Sequence, residues 1–396
     1  MSEWRTVRFE EILSSPLRNG VSYPSKARGQ GIPMVNMREI FAYDIIRDQE
    51  CELVPLKERE LDNFLLAEGD LLFARQSLTY EGAGRCVLVG ASEGPRTWES
   101  HLIRARINRK LADPRFIYYY FRSAKGRRNI ETIINQVAAA GIRGSDLKNL
   151  QVPIPPLCRQ EEISILLGAL DDKIAVNERI ANTADELSGE IFRYAMKTSP
   201  DRFSECPLSE TAQFINGRAF TKDATGTGRM VVRIAEINNG PGSSTVYNEI
   251  EVADDHLARP GDVLFAWSGS LTVARWFRPE AIINQHIFKC VPKRGNPHWL
   301  VSRLVHRKID DFRAIAADKA TTMGHIQRRH LDEPVSVPKP EELAALDRRI
   351  GPLWERALLA ERESLSLAAL RDTLLPPLMS GRIRVKDAEK IVEDAT

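Results

Sequence analysis

The sequence is poor in cysteine and has no long apolar run. Five cysteines, Cys51, Cys86, Cys158, Cys206 and Cys290, are scattered singly over 396 residues. Their number is odd and no C-x-x-C occurs, so neither a disulfide framework nor a structural zinc knot is expected, and a reducing cytoplasm fits. No apolar stretch approaches the roughly 18–20 residues of a membrane span, so no membrane association is expected. The opening residues, MSEWRTVRFEE, carry charge throughout, unlike a signal peptide. A P-loop is missing, so ATP hydrolysis has no support. The G-x-G at Gly29–Gly31 and at Gly226–Gly228 lacks the rest of a dinucleotide-binding pattern and reads as turns. A DNA methyltransferase would need an N-P-P-Y type motif; Asn296-Pro297-His298-Trp299 comes nearest and fails at its third residue. Metal-dependent phosphodiester cleavage would need converging acids. Asp70 and Asp262 recur at equivalent places but read as turn caps. No catalytic, cofactor-binding or metal-binding residue is assigned.

What the chain does have is a second copy of itself. Hydrophobic residues make up 43% of its length, enough for sizeable cores, and that length exceeds one ordinary core. GVSYPSKARGQGIPMVNMREI, from Gly20, aligns without gaps on GRAFTKDATGTGRMVVRIAEI, from Gly217. Gly20/Gly217, Gly29/Gly226, Gly31/Gly228, Val35/Val232 and Glu39/Glu236 coincide. Then GDLLFAR at 69–75 matches GDVLFAW at 261–267, and SHLIRARI at 100–107 matches QHIFKCVP at 285–292. DPRFIYYYF at 113–121 follows against NPHWLVSRL at 296–304, and LKNLQVPIPP at 147–156 against LDEPVSVPKP at 331–340. Blocks repeated in one order imply two domains of one fold.

Each copy mixes strand and helix signals without a βαβ rhythm. The alternating stretches Met34–Ile40 and Met230–Ile237 suggest strands, as do LLFA and VLFA after their Gly-Asp turns. Asp113-Pro114 and Asn296-Pro297 look like capped helix starts. His101 and His286 fall beside strands; structural hydrogen bonding is the ordinary reading, a shared DNA contact the sharper one.

After each proline exit comes an amphipathic helix. Ile163, Leu167, Leu170, Ile174 and Ile191 form one stripe, with Asn177 and Ala184 in the same seven-residue series and Leu187 in support. Some 35 residues would span roughly 50 Å. Leu343, Leu346 and Ile350 form a second stripe, continued by Leu367, Leu370 and Leu374. Gly351-Pro352 is expected to kink or interrupt this helix and Pro376-Pro377 to end it. Antiparallel pairing is the simplest arrangement, because the second copy must travel out and back. The fold class expected is α+β: two similar mixed domains joined by long coiled-coil-like helices in a pseudo-twofold arrangement. The expected boundaries are 1–158 and 199–340 for the domains, 159–198 and 341–385 for the helices, and 386–396 for a tail.

Two similar heads suit a target with two similar halves, and duplex DNA is one. The net charge of +2 decides nothing, but basic residues cluster in equivalent blocks. Arg104, Arg122 and Arg127 belong to the first cluster, Arg303 and Arg307 to the second; phosphate contact is the functional reading, a solvated basic face the bland one. Candidates for base edges are Lys26, Arg28 and Gln30 in the first glycine-rich loop and Lys222, Thr225 and Thr227 in the second. Arg75 and Gln76, and Trp267 and Ser268, follow the Gly-Asp strands and are further candidates.

With these motifs the chain resembles the specificity subunit of type I restriction–modification systems. The resemblance rests on the doubled head, PGDVLF at 260–265, the exits VPIPPLCRQEEI and VSVPKPEEL, and ALRDTLLPPLMSGRIRV at 369–385. The chain departs from the family pattern at Arg75-Gln76-Ser77-Leu78, which has no glycine until Gly82, and at PKPEEL, which lacks the counterpart of Gln160. The resemblance implies a noncatalytic reader of double-stranded DNA with two target recognition domains, one for each half of a bipartite site. It implies two adenine methyltransferase subunits bound to the helices, and restriction or translocase subunits. S-adenosylmethionine, ATP and magnesium would belong to those partners. The alternatives are a stand-alone DNA-processing enzyme and a two-headed protein scaffold.

Overall fold

The structure is a computed structural model that describes residues 4–136, 140–318 and 325–395. It divides into two compact units, Met1–Asp172 with Ala369–Thr396, and Lys173–Ala368.

The first unit is built on a five-stranded sheet, in the order Arg18–Asn19, Leu102–Arg106, Asp70–Ala74, Cys86–Val89 and Ile45–Ile46. Its central strand DLLFA is buried at every residue, which is why it reads as a continuous apolar run. A second sheet sets Ile32–Val35 between Glu52–Val54 and Thr97–Trp98, parallel to the latter. Helix Pro114–Arg122 covers the first sheet with the buried aromatic run Phe116–Phe121. Phe121 meets Phe73 edge to face at 5.0 Å and Phe9 at 5.3 Å. Burying each such side chain stabilises the unit by about 1.5–3 kcal/mol. The chain enters on Arg5–Arg8 and leaves on Gln151–Ile154, and these strands pair antiparallel as a stem.

The second unit repeats this plan. Its main sheet runs Ala212–Asn216, Ile287–Pro292, Val263–Ala266, Thr272–Arg275. Its second sheet again sets one strand, Arg229–Val232, parallel to Ala281–Ile283 and antiparallel to Val246–Asn248. Helix His298–Asp318 packs Trp299, Leu304 and Phe312 into one core with Phe265 and Phe288. The stem is Phe203–Pro207 against Pro334–Pro338.

The repeated glycines have one physical cause each. A Cβ on Gly20 would lie 2.0 Å from the Trp98 carbonyl oxygen, and one on Gly217 2.1 Å from that of Asn284. Gly29, Gly31, Gly226 and Gly228 all have left-handed φ, between 80° and 110°. The turns before the central strands are capped alike: Asp70 Oδ2 accepts the Ala67 N–H at 2.8 Å, and Asp262 Oδ2 the Arg259 N–H at 2.7 Å.

The long helices are Leu157–Thr198 and Pro340–Met379. Within the second unit Asn177 donates to Glu363 at 2.9 Å, Ala181 and Ala184 pack with Ala357 and Ala360, and Phe192 shares a core with Trp354 and Ile350. One chain ascends as the other descends, so these segments run antiparallel. Ile163, Leu167, Leu170, Leu346, Ile350, Leu367 and Leu374 are buried, whereas Ile174, Ile191, Leu343 and Leu370 are half-buried. Leu187 departs from the stripe and is 47% exposed.

Several sequence expectations are corrected. The strands from Met34 and Met230 stop at Val35 and Val232, and helices Met37–Ala42 and Ile234–Asn239 follow. Glu39 and Glu236 cause the change: each carboxylate reaches back to a backbone N–H, of Asn36 at 2.8 Å and of Arg233 at 2.9 Å. Asp113 does cap its helix, accepting from the Phe116 N–H at 2.8 Å, but Asn296 instead donates to the Thr211 carbonyl. The second long helix is not interrupted at Gly351-Pro352. Gly351 has no side chain to crowd, and Pro352 faces solvent, so only one ladder bond is lost. Nor does Pro376-Pro377 end it; the helix runs to Met379, and the Pro377 carbonyl accepts the Arg382 N–H at 2.9 Å. Residues 386–395 lie in helix Val385–Ala395.

Candidate nucleic-acid interface

The two units carry one frame at the tip of the central strand. In the first, the Arg75 N–H donates to the His101 carbonyl at 2.8 Å, and the Arg75 carbonyl accepts from Ile142 at 2.9 Å. In the second, the Trp267 N–H donates to the His286 carbonyl at 3.0 Å, and the Trp267 carbonyl accepts from Ile326 at 3.2 Å. Gln76–Ser77 pairs with Ala140–Gly141, and Ser268 bridges His325. The structure therefore joins Arg75, Gln76 and His101 on one tip, and Trp267, Ser268 and His286 on the other.

Their chemistry differs. Arg75 is half-buried and Gln76 exposed, and neither side chain has a hydrogen bond or ion pair among the described residues. His101 is exposed and shares a hydrogen bond of 2.7 Å with Glu99. Trp267 donates its indole N–H to Asn216 at 2.7 Å. Its ring lies 5.1 Å from that of His286 and 6.3 Å from that of His325. His286 has φ of 74°, an uncommon left-handed conformation that histidine adopts more readily than most side chains. Ser268 is buried.

In each unit the first strand of the main sheet and the turn before the stem frame an open groove. In the first unit this groove has about 720 Å³ and is lined by Ser14, Asn19, Ser145 and Lys148. In the second it has about 390 Å³ and is lined by Gln213, Lys293, Arg328 and Arg329. The strand flooring the second groove ends at Asn216, the partner of Trp267.

The other predicted residues lie elsewhere. Lys26 and Gln30 are exposed, while Arg28 is tied to Glu52 at 2.7 Å. Lys222 is exposed; Thr227 donates to Glu249 at 2.8 Å, and Thr225 accepts the Glu249 N–H. Both loops are held on the second sheet of their unit, and no hydrogen bond among the described residues joins them to the strand tips.

Most of the basic residues of the two clusters are engaged internally. Arg104 is 5% exposed, lies over the Trp98 ring and donates to Ser15; burial lowers its pKa. Arg122 ion-pairs with Asp44 and donates to the Tyr118 hydroxyl at 2.9 Å. Burial opposes its charge, but Tyr118 and Asp44 outweigh burial and its pKa is raised. Arg127 donates to the Ala83 and Tyr80 carbonyls. Arg303 pairs with Asp185 at 3.2 Å, and Arg307 is exposed.

Residues 1–186 match a family model described as type I restriction modification DNA specificity domain. A 168-residue stretch is 33% identical to the type I restriction enzyme EcoKI specificity subunit of Escherichia coli, covering 41% of this chain and 35% of that one. A second relative, the MjaIX specificity subunit of Methanocaldococcus jannaschii, is 19% identical over 91% of this chain and 88% of its own. The chain spans about a third of the length of the first of these relatives. The crystal structure of the type I S subunit from M. genitalium matches over 95% of this chain and 96% of that one, with a TM-score of 0.55 and 16% identity, a likeness of fold.

Arg328, Arg329, His325 and Asn216, which the sequence reading did not single out, also stand at the groove or the tip of the second unit. The signal was the doublet in QRRHLDEP, which stands where the first copy has Gly144-Ser145 ahead of its own exit. Among the described residues no group of three or more His, Cys, Asp or Glu side chains is placed to hold a metal ion. No described helix is long and apolar enough to cross a membrane.

Proposed function

We propose that this chain is the noncatalytic DNA-reading subunit of a type I restriction–modification complex. Residues 1–158 and 199–340 would each read one half of a bipartite, asymmetric target. The long helices would set the gap and receive two adenine methyltransferase subunits, with restriction subunits added to them; S-adenosylmethionine, ATP and magnesium would be theirs. The observation that carries this reading is the strand tip, one backbone frame presented twice with unlike side chains. A protein that recognises two different half-sites needs that combination. Arg75, Gln76, Trp267 and the exposed Lys26, Gln30 and Lys222 would face bases, and Arg307 phosphate. With inward partners on Arg104, Arg122, Arg127 and Arg303, the phosphate role would extend to the exposed Arg329, and to Lys293 and Arg328, which each give one donor to a backbone carbonyl. Genome-wide adenine methylation, after expressing the chain with its methyltransferase subunit and each protein alone, tests the reading. A bipartite motif seen only with both supports it. Methylation by this chain alone would point to an enzyme, and a stable, active complex without sequence preference to a scaffold.

A further inference from the structure

The two strand tips share a frame but offer opposite chemistries, and this bears on which bases they take. Resting on the DNA-reading function above, we propose that the strand-tip residue is the specificity position of each unit. Arg75 reads a guanine in one half-site, and Trp267 reads the methyl group of a thymine in the other. Arg75 stands first after the central strand, pinned through its backbone on both sides. Its guanidinium has no partner among the described residues, unlike those of Arg104, Arg106, Arg122 and Arg127 around it. A planar fork held by a rigid backbone and unpaired among the described residues is suited to the O6 and N7 acceptors of guanine in the major groove.

Trp267 occupies the same place with its one polar atom already used, because the indole N–H is given to Asn216. The ring can therefore offer a base edge only apolar contact. In stacked duplex DNA the apolar group presented in the major groove is the thymine methyl. His286 supports the ring from one side, and its left-handed backbone is the kind of local strain that gathers at binding sites.

The test is selection of bound sequences from a randomised duplex pool by the full chain, purified with its methyltransferase subunit. Arg75→Ala should lose guanine preference at one position of one half-site, by about 5- to 150-fold, and leave the other half-site and the gap unchanged. Arg75→Lys should restore part of it. Replacing thymines by uracils in the selected duplex removes the methyl alone. One position in the other half-site should then weaken by about 3- to 5-fold, and Trp267→Gln should abolish that sensitivity. Melting of each variant checks that Trp267 substitution has not unseated Phe288, which its ring also meets. The inference is overturned if the wild-type complex selects a bipartite motif while Arg75→Ala keeps every preference, or if uracil is tolerated throughout. A wild-type complex that selects no motif would instead defeat the DNA-reading function and take this inference with it.

Discussion

Asp171 and Arg371, 200 positions apart in the chain, form a buried ion pair of 2.6 Å in the first unit. Tyr119 donates its hydroxyl to the same carboxylate at 2.5 Å. Asp171 thus ties the head helix and the end of the second long helix to the start of the first. Burial opposes the charge on Arg371, but Asp171 outweighs it and the Arg371 pKa is raised. Asp171→Ala would leave a buried hydroxyl without its acceptor and a buried cation with only the exposed Asp372 as partner. The expected cost is about 3–5 kcal/mol, seen as a lower denaturant midpoint with little change in slope.

Gly20 and Gly217 admit no side chain. Alanine at either would place a methyl about 2 Å from a backbone oxygen that neighbouring strands hold in place. Each substitution should destabilise its unit by at least about 1–3 kcal/mol, the cost of forcing atoms into a packed site. Alanine at Gly94, around which nothing lies within 4 Å, is the control and should melt like the parent.

Acid should weaken the second unit before its carboxylates titrate. Burial lowers the pKa of His256 and His298 below the ordinary 6.5, more than their neighbouring charges compensate. A group with a depressed folded pKa binds more protons unfolded than folded between the two values, so stability rises with pH there. The contribution is complete above about pH 6.5 and is lost as pH falls through the folded values. Melting temperature should decline from pH 7 to pH 5. His298→Gln and His256→Gln should flatten that slope.

Arg328→Ala with Arg329→Ala should weaken DNA binding at low salt without changing the selected motif. If both contact phosphates, the slope of log affinity against log salt should become shallower by about 2. Arg122→Ala should behave differently: it removes one of the two arginines on Asp44 and leaves Arg85, so the loss should appear in thermal stability and not in the salt slope.

How much of this was legible depends on the range over which each signal acts. The Gly-Asp turns, the central strands and the Asp113 cap are short-range features, and the sequence carries them openly. The repeat was legible because glycines such as Gly20 and Gly217 are fixed by steric contacts that no other residue satisfies. The fate of the arginines was not, since Arg122 finds Asp44 78 positions away and Arg303 finds Asp185 across 118. A basic run looks the same in a sequence whether its charges face a ligand or a carboxylate brought in by folding. Met34–Ile40 misled for another reason: apolar residues at 35, 37 and 40 fit either period until Glu39 is seen to cap.

The stems have a consequence for synthesis. Phe203–Pro207 leaves the ribosome long before its mate Pro334–Pro338, and Arg5–Arg8 long before Gln151–Ile154. At about 5–20 residues per second the earlier strand waits about 7–30 s as an unpaired edge. Closing the ring against loop entropy becomes favourable only once the sheets inside it have formed. Arg371 arrives later still, so the buried Asp171 carboxylate gains its cation only after both stems have been made. The nascent chain must therefore keep one open edge at a time from stray pairing, because Gln151–Ile154 closes the first before Phe203–Pro207 is made. Both strands carry residues that discourage such pairing, since Arg5 and Arg8 place charge on the first and Pro207 closes the second.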